Sequence, residues 1–360
     1  MSILFEPVCL GELRLANRIV MAPMTRSRAD QQAVPGPEMV EYYRQRASAG
    51  LIVAEGTAPS ASGLGYCRTP AIYSAQQIAA WRRVTTAVHD AGGQIVLQLM
   101  HVGRAASRFN KPAGAATVAP SAIRARTQVF SDAQGMVDTE QPQELTAEGI
   151  AAVIDDYRQA ALNAREAGFD GVELHCSSGY LPMQFLASGS NRRTDAYGGS
   201  AENRARFVAE TVHGMATAIG AGRVALRMCP GNPYNDIHDD DPAATAVALC
   251  QAVAGVALAY MHVMRSPLAG LDAFALAREH ARHPLILNDG FDGDSAQRAL
   301  QAGEGAAVSF GRHFIGNPDL VERLRRHQPL AGFERKTLYS AGPRGYTDYP
   351  AFNGELEVSP

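Results

Sequence analysis

The stretch GFDGVELHCSSGYLPMQF (Gly168–Phe185) sets a short apolar run, GFDGVEL, directly before a histidine and a tyrosine, His175 and Tyr180. A run that is apolar almost throughout suits a parallel strand covered on both faces, not the alternating pattern of a half-solvated sheet. Seven further runs share this character: Asn17–Met24, Gly50–Thr57, Gln94–His101, Val224–Pro230, Ala257–Met264, Pro284–Gly290 and Ala306–Gly311, with this one taken as Gly171–Ser177. Helical patterns lie between them. The clearest is Thr146 to Gly168, where Ile150, Val153, Ile154 and Tyr157 recur at helical spacing and Gly168 offers a C-cap. Others are Pro37–Ala49, Ser74–Ala91, Ser200–Ile219, Pro242–Ala254, Asp272–His283, Gly293–Ala302 and Asp319–His327. Eight strands alternating with eight helices predict an α/β (β/α)8 TIM barrel; an open doubly wound sheet is the alternative.

Two segments lie outside that alternation. FEPVCLGELRL alternates around Gly11–Glu12 and predicts an N-terminal β-hairpin at the barrel floor. The polar stretch from Val102 to Glu144, rich in Ala, Ser and Pro, predicts a long excursion over the top after strand three. With 360 residues and no interdomain linker, residues 1–360 read as a single barrel domain.

Composition narrows the function. At 46% apolar and 19% charged residues, with no run of 18 apolar residues, the chain reads as soluble, and MSILFEPVCL lacks the pattern of a signal peptide, which predicts a cytoplasmic protein. A formal charge of −3 provides no basic field for nucleic acid or an anionic membrane. Cys9, Cys67, Cys176, Cys229 and Cys250 are scattered without a CxxC pair, which argues against zinc, an iron–sulfur cluster or a redox dithiol. Only Lys111 and Lys336 among 33 basic residues are lysines, and neither follows a strand-like run, so a Schiff-base mechanism is disfavoured. Of the histidines only His101, His175 and His262 lie near strand ends, too few clustered ligands for a metal-dependent barrel hydrolase. No metal is expected.

Active sites of such barrels sit at the carboxyl ends of the strands. Strands seven and eight end in NDGFDGDS and SFGRHF, where Gly290, Gly311 and Arg312 suit one phosphate monoester, from a mononucleotide cofactor or a sugar phosphate. No GxGxxG follows a strand and opens a helix, so Rossmann-type dinucleotide binding is unsupported. Gln98 in IVLQLMH and Arg227 in VALRMCP are polar groups on apolar runs. A buried guanidinium needs an anion or several acceptors, and a flavin ring offers an edge to both side chains. The alternatives are a structural ion pair for Arg227 and a satisfied core amide for Gln98.

These residues stand in longer motifs. MAPMTRSRA (Met21–Ala29), VELHCSSGYLPMQFLASGSNRRTDAYGGSAENRARF (Val172–Phe207), FGRHFIGNPDL (Phe310–Leu320) and GYTDYP (Gly345–Pro350) resemble the Old Yellow Enzyme family of FMN-dependent ene-reductases, over nearly the whole chain and in the strand order already read. The resemblance implies a TIM barrel holding FMN non-covalently, NADPH or NADH as hydride donor, and small electron-poor alkenes as substrates. It implies that Thr25 and Gly56 meet flavin O4, with Pro23 and Met24 beside them. Gln98 and Arg227 would hold the pyrimidine edge, and Gly290, Phe291, Gly311 and Arg312 the phosphate. It further implies that His175 polarises the carbonyl or nitro oxygen of the substrate and that Tyr180 protonates the α-carbon, while Tyr66 and Tyr346 line the substrate pocket. Asp195, Glu202 and Arg204 read instead as a structural network.

Two positions depart from the family pattern. Where relatives pair the histidine with Asn or a second His three residues on, this chain has Ser178, whose shorter hydroxyl reaches a substrate oxygen directly or through water. Met100 stands where many relatives carry tryptophan, which widens one wall and leaves the stereochemical outcome open. The scattered cysteines and the short tail after Pro350 disfavour the larger iron–sulfur reductases. A flavin-binding protein for storage or sensing, or a reductase of nitro compounds or nitrate esters, stays open, as does a monomer against a homo-oligomer.

Overall fold

In the computed structural model, which describes residues 2–352, eight parallel strands close into a barrel in sequential order. They are β1 (Ile19–Met21), β2 (Leu51–Thr57), β3 (Ile95–Leu99), β4 (Gly171–Cys176), β5 (Val224–Met228), β6 (Tyr260–Met264), β7 (Leu285–Asn288) and β8 (Ala307–Phe310). β8 closes on β1 through Phe310 opposite Met21, so the open-sheet alternative is excluded. The strands are shorter than the apolar runs because flanking residues take other work. Asn17 Oδ1, for instance, accepts from the N–H groups of Ile19 and Gly50, tying the entry of β1 to that of β2.

Helix starts follow local chemistry. Ser74, Thr146, Ser200, Asp241, Asp272 and Asp292 each accept a backbone N–H at a helix N-cap, and Ser74 with Gln77 forms a reciprocal capping box. The helix expected over Asp319–His327 is only Leu320–Arg325, and two short helices, Leu181–Leu186 and Arg312–Gly316, lie within what reads from sequence as loop.

Val8–Leu10 and Leu13–Leu15 pair antiparallel around Gly11, as predicted. Gly11 has φ +56°, and a Cβ there would come within 2.6 Å of the Gly222 carbonyl oxygen, so only glycine fits this turn against the barrel floor. Leu10, Leu13 and Leu15 pack with Val20, Val53 and Ile286 of the barrel interior. Above that apolar floor the strands bring inward a polar layer, Gln98, Glu173, Arg227, His262 and Ser309, all buried. The excursion after β3 carries an antiparallel hairpin, Gln128–Ser131 with Gly135–Asp138, and a parallel pair, Val118–Ala119 with Gln143–Glu144. Among the described residues no helix is long and apolar enough to cross a membrane.

Candidate active site

His175 and Tyr180 meet at the top of β4. Their rings are in edge-to-face contact at 4.8 Å, and a second edge-to-face contact, at 6.1 Å, places Tyr66 on the far side of Tyr180. Met100 packs with Tyr180 and Tyr66, and a Cβ on Gly56 would lie 2.5 Å from its sulfur, so the glycine in the β2 bulge makes room for the thioether. Burial, reinforced by the nearby Arg227 guanidinium, lowers the His175 pKa to about 3, so the imidazole is neutral. Burial and the neighbouring Tyr66 hold the Tyr180 phenol well above its ordinary value, and burial pushes Tyr66 up to about 12.

A neutral imidazole has one donor and one acceptor nitrogen. Ser177 Oγ lies 3.2 Å from His175 Nδ1, and its rival acceptor, the Met264 sulfur at 3.9 Å, is weak. Nε2 has no hydrogen-bond partner among the described residues, and a hydroxyl donating to Nδ1 leaves the proton on Nε2. Ser178 is half-buried with φ +56°. Its carbonyl accepts from Asn235 Nδ2 at 2.9 Å, and the same amide group donates to Tyr66 Oη at 3.3 Å. Neither Ser177 nor Asn235 was singled out from sequence. Ser177 had a signal, a hydroxyl two residues past the histidine, whereas Asn235 comes from the β5 loop and only folding brings it here.

The loops after β7 and β8 also converge. Pro23, Met24, Arg227, Gly290, Phe291, Gly311 and Arg312 line one cavity of about 550 Å³ together with Asn288 and Ser309. Thr25 lines an adjoining cavity of about 390 Å³ with Met24, Arg312, Leu338 and Tyr339. A separate apolar cavity of about 270 Å³, around Met183, Met228 and Leu249, holds none of the expected site residues.

One expectation fails. Tyr346 is 0% exposed and stacks on Tyr42 at 4.0 Å, with the guanidinium groups of Arg26 and Arg28 over its ring, so it cannot line a pocket. The reason is the turn before it. Gly345 has φ +66°, and its N–H donates to Asp348 Oδ1, which folds the tail inward. Tyr339, 61% exposed and earlier in the same segment, is the tyrosine that faces the cavity.

Beneath the cavity the alternatives for Gln98 and Arg227 meet in one network. Gln98 Nε2 donates to Glu173 Oε1 at 2.8 Å. Arg227 does not pair with that carboxylate directly: its Nη1 lies 3.1 Å from both nitrogens of His262, over the ring, and its Nη2 donates to Asn288 Oδ1 at 2.7 Å. Arg204 forms an ion pair with Asp239 and Asp195 one with Arg193, consistent with structural roles, while His101 accepts the N–H of Gly103 at Nδ1.

Residues 3–331 match the model of the NADH:flavin oxidoreductase / NADH oxidase family. The chain belongs to this family. It is 39% identical over 371 residues to 12-oxophytodienoate reductase 7 of Oryza sativa subsp. japonica, covering 96% of this chain and 94% of that protein. To a probable flavin mononucleotide-dependent alkene reductase of Leishmania infantum it is 40% identical, covering 97% of each. Morphinone reductase superposes with TM-score 0.93 at 42% identity over 99% of both chains, and a structure of that protein in complex with tetrahydroNAD superposes with TM-score 0.93 at 43% identity, again over 99% of both. This family member is an FMN-dependent oxidoreductase that draws hydride from a nicotinamide.

The residues present fit FMN. Among the described residues the backbone N–H groups of Gly290, Phe291, Gly311 and Arg312 have no partner within the chain. A Cβ on Gly311 would meet nothing closer than 3.6 Å, which leaves the cradle open to an anion. Arg227 adds a buried guanidinium at the cavity wall, where burial lowers its pKa without discharging it.

Proposed function

We propose that this flavoenzyme reduces the C=C bond of small α,β-unsaturated carbonyl or nitro compounds, with NADPH or NADH as donor. The observation that carries this reading is the His175–Tyr180 pair, two neutral proton-bearing groups in contact at the carboxyl end of β4. Relatives named for the reduction of alkenes, 12-oxophytodienoate and morphinone support the substrate class.

Bound FMN supplies the hydride that reaches the alkene β-carbon. His175 Nε2–H donates to the substrate oxygen and stabilises the negative charge that develops there. Tyr180 delivers the proton to the α-carbon. Its high pKa makes it a weak acid, suited to a strongly basic carbon centre and protonated throughout the working pH range. Tyr66, held by Asn235, supports the Tyr180 phenol from behind, and Ser178 reaches the substrate oxygen directly or through water. Thr25 and Gly56, with Pro23 and Met24 beside them, and Gln98 and Arg227 would hold the flavin ring, and Gly290, Phe291, Gly311 and Arg312 would hold the phosphate. Met100, Tyr66 and Tyr339, the last in place of Tyr346, bound the substrate side.

The test is Tyr180→Phe, followed by anaerobic spectroscopy of the two half-reactions. Bleaching of the flavin by NADPH is expected to stay near the parent rate, while its return on adding 2-cyclohexenone slows by roughly 10²–10⁴-fold. Unimpaired return would remove Tyr180 from the proton step. A parent protein that bleaches with NADPH but does not recover with enone would redirect the reading to nitro compounds or to flavin storage.

A further inference from the structure

Glu173 is fully buried, carries a chemistry-bearing side chain, and has no part in the roles above. Its carboxylate collects three donors: Gln98 Nε2 at 2.8 Å, Tyr260 Oη at 3.1 Å and His262 Nδ1 at 2.8 Å. Burial alone would raise its pKa, but the His262 and Arg227 side chains and the hydrogen bonds outweigh that, and it stays below the ordinary carboxylate value. Burial and Arg227 together lower His262 to about 4, so that ring is neutral. With Nδ1–H given to Glu173, Nε2 is an acceptor and takes the Ser309 hydroxyl at 2.7 Å. The Arg227 guanidinium, lying over the face of this ring, therefore has its nearest full negative charge one imidazole away, and not in direct contact.

The arrangement has two consequences for a flavin held by Gln98 and Arg227. A carboxylate only accepts, so the Gln98 amide must turn Nε2 towards Glu173, which leaves Oε1 as the atom free to face the cofactor. The anion also partly neutralises Arg227, which limits how strongly that guanidinium favours the more negative, reduced flavin. We propose that Glu173 is a positioning residue that lowers the reduction potential of the bound FMN by tempering Arg227 through His262, and that sets the acceptor face of Gln98. The inference rests on FMN as the cofactor and is independent of the alkene.

The two effects separate experimentally. Turning the Gln98 amide changes affinity for oxidised and reduced FMN by a common factor, because the flavin N3–H is present in both; removing the charge changes their ratio. In Glu173→Gln, the Kd values for both forms, from fluorescence titration and from a dye-linked potential measurement, are expected to show the reduced form favoured at least tenfold more than in the parent. For a two-electron couple that ratio is about 30 mV towards positive potential. Tyr260→Phe keeps the ring and the charge but removes one donor, leaving the anion less compensated, and is expected to shift the ratio about threefold the opposite way. Equal weakening of both Kd values with an unchanged potential would make Glu173 merely structural and overturn the proposal. Should Glu173→Gln fail to fold, Tyr260→Phe decides alone: a negative shift supports the proposal, and no shift or a positive one overturns it. Failure of the parent to bind FMN would instead overturn the flavin reading itself.

Discussion

At the scale of single residues, the chemistry is set by which groups are kept neutral. His175, with a pKa near 3, and Tyr180, with one well above 10, both hold their protons unchanged across the usual assay range. Protonating His175 requires pH near 3 and ionising Tyr180 requires pH above 10, so neither produces a limb between. The enone-dependent half-reaction is therefore expected to be flat from about pH 5 to pH 9 in stopped-flow measurements. A limb near pH 6.5 would mean that His175 is more solvated than its burial indicates. Ser178 is the other residue on which the proposed chemistry turns. Its φ of +56° is a conformation asparagine adopts more readily than most side chains, so Ser178→Asn should be accommodated without strain. It should raise kcat/KM for cyclic enones, since a missing oxyanion donor costs roughly 2.7–4 kcal/mol and an amide reaches further than a hydroxyl. No change or a fall would show that the serine suffices.

Among the elements, the clearest division of labour is between the floor hairpin and the strand ends. Leu13 is buried in the barrel with Leu10, Leu15, Val20 and Ile286, beneath the polar layer and away from the cavity. Leu13→Ala is expected to cost about 2–5 kcal/mol in denaturant unfolding while leaving FMN affinity unchanged. Loss of FMN binding at unchanged stability would mean that the floor shapes the site. The strands and most helices are legible from sequence, because a strand covered on both faces must be apolar and a helix start needs a cap such as Thr146 or Ser200. The short helices after Tyr180 and Gly311 escape notice because six or five residues carry too few turns for periodicity to register.

Across the whole molecule, the C-terminal segment is tied to the barrel through buried charge. Arg26 donates to the carbonyls of Leu338 and Gly345, and its backbone N–H reaches Glu55, which also receives the Tyr43 hydroxyl. Burial raises the Glu55 pKa from 4.5 to about 7. The folded state thus binds the proton more tightly than the unfolded chain, so the contribution of this group to stability is full below about pH 4.5 and is lost as pH rises through about 7. A pKa difference of about 2.5 corresponds to roughly 3 kcal/mol at most. Thermal unfolding from pH 5 to pH 8 should therefore show the parent losing stability relative to Glu55→Gln; parallel curves would place an ionised Glu55 in the fold at all pH values.

Sequence alone determined the barrel, its floor hairpin, the strand-end histidine and tyrosine, and the glycine-bearing loops after the last two strands, because each is encoded locally: by apolar runs, turn residues, or residue types closing a strand. Tyr346 shows the limit. Its motif marks the segment, but Gly345 and the stack on Tyr42 turn that ring inward and leave Tyr339 at the cavity. Asn235, Ser309 and the Glu173–His262 pair were likewise decided only by tertiary structure. Their partners lie 47 to 169 positions apart in the chain, and no local pattern records which buried donor faces which acceptor once the strands have closed.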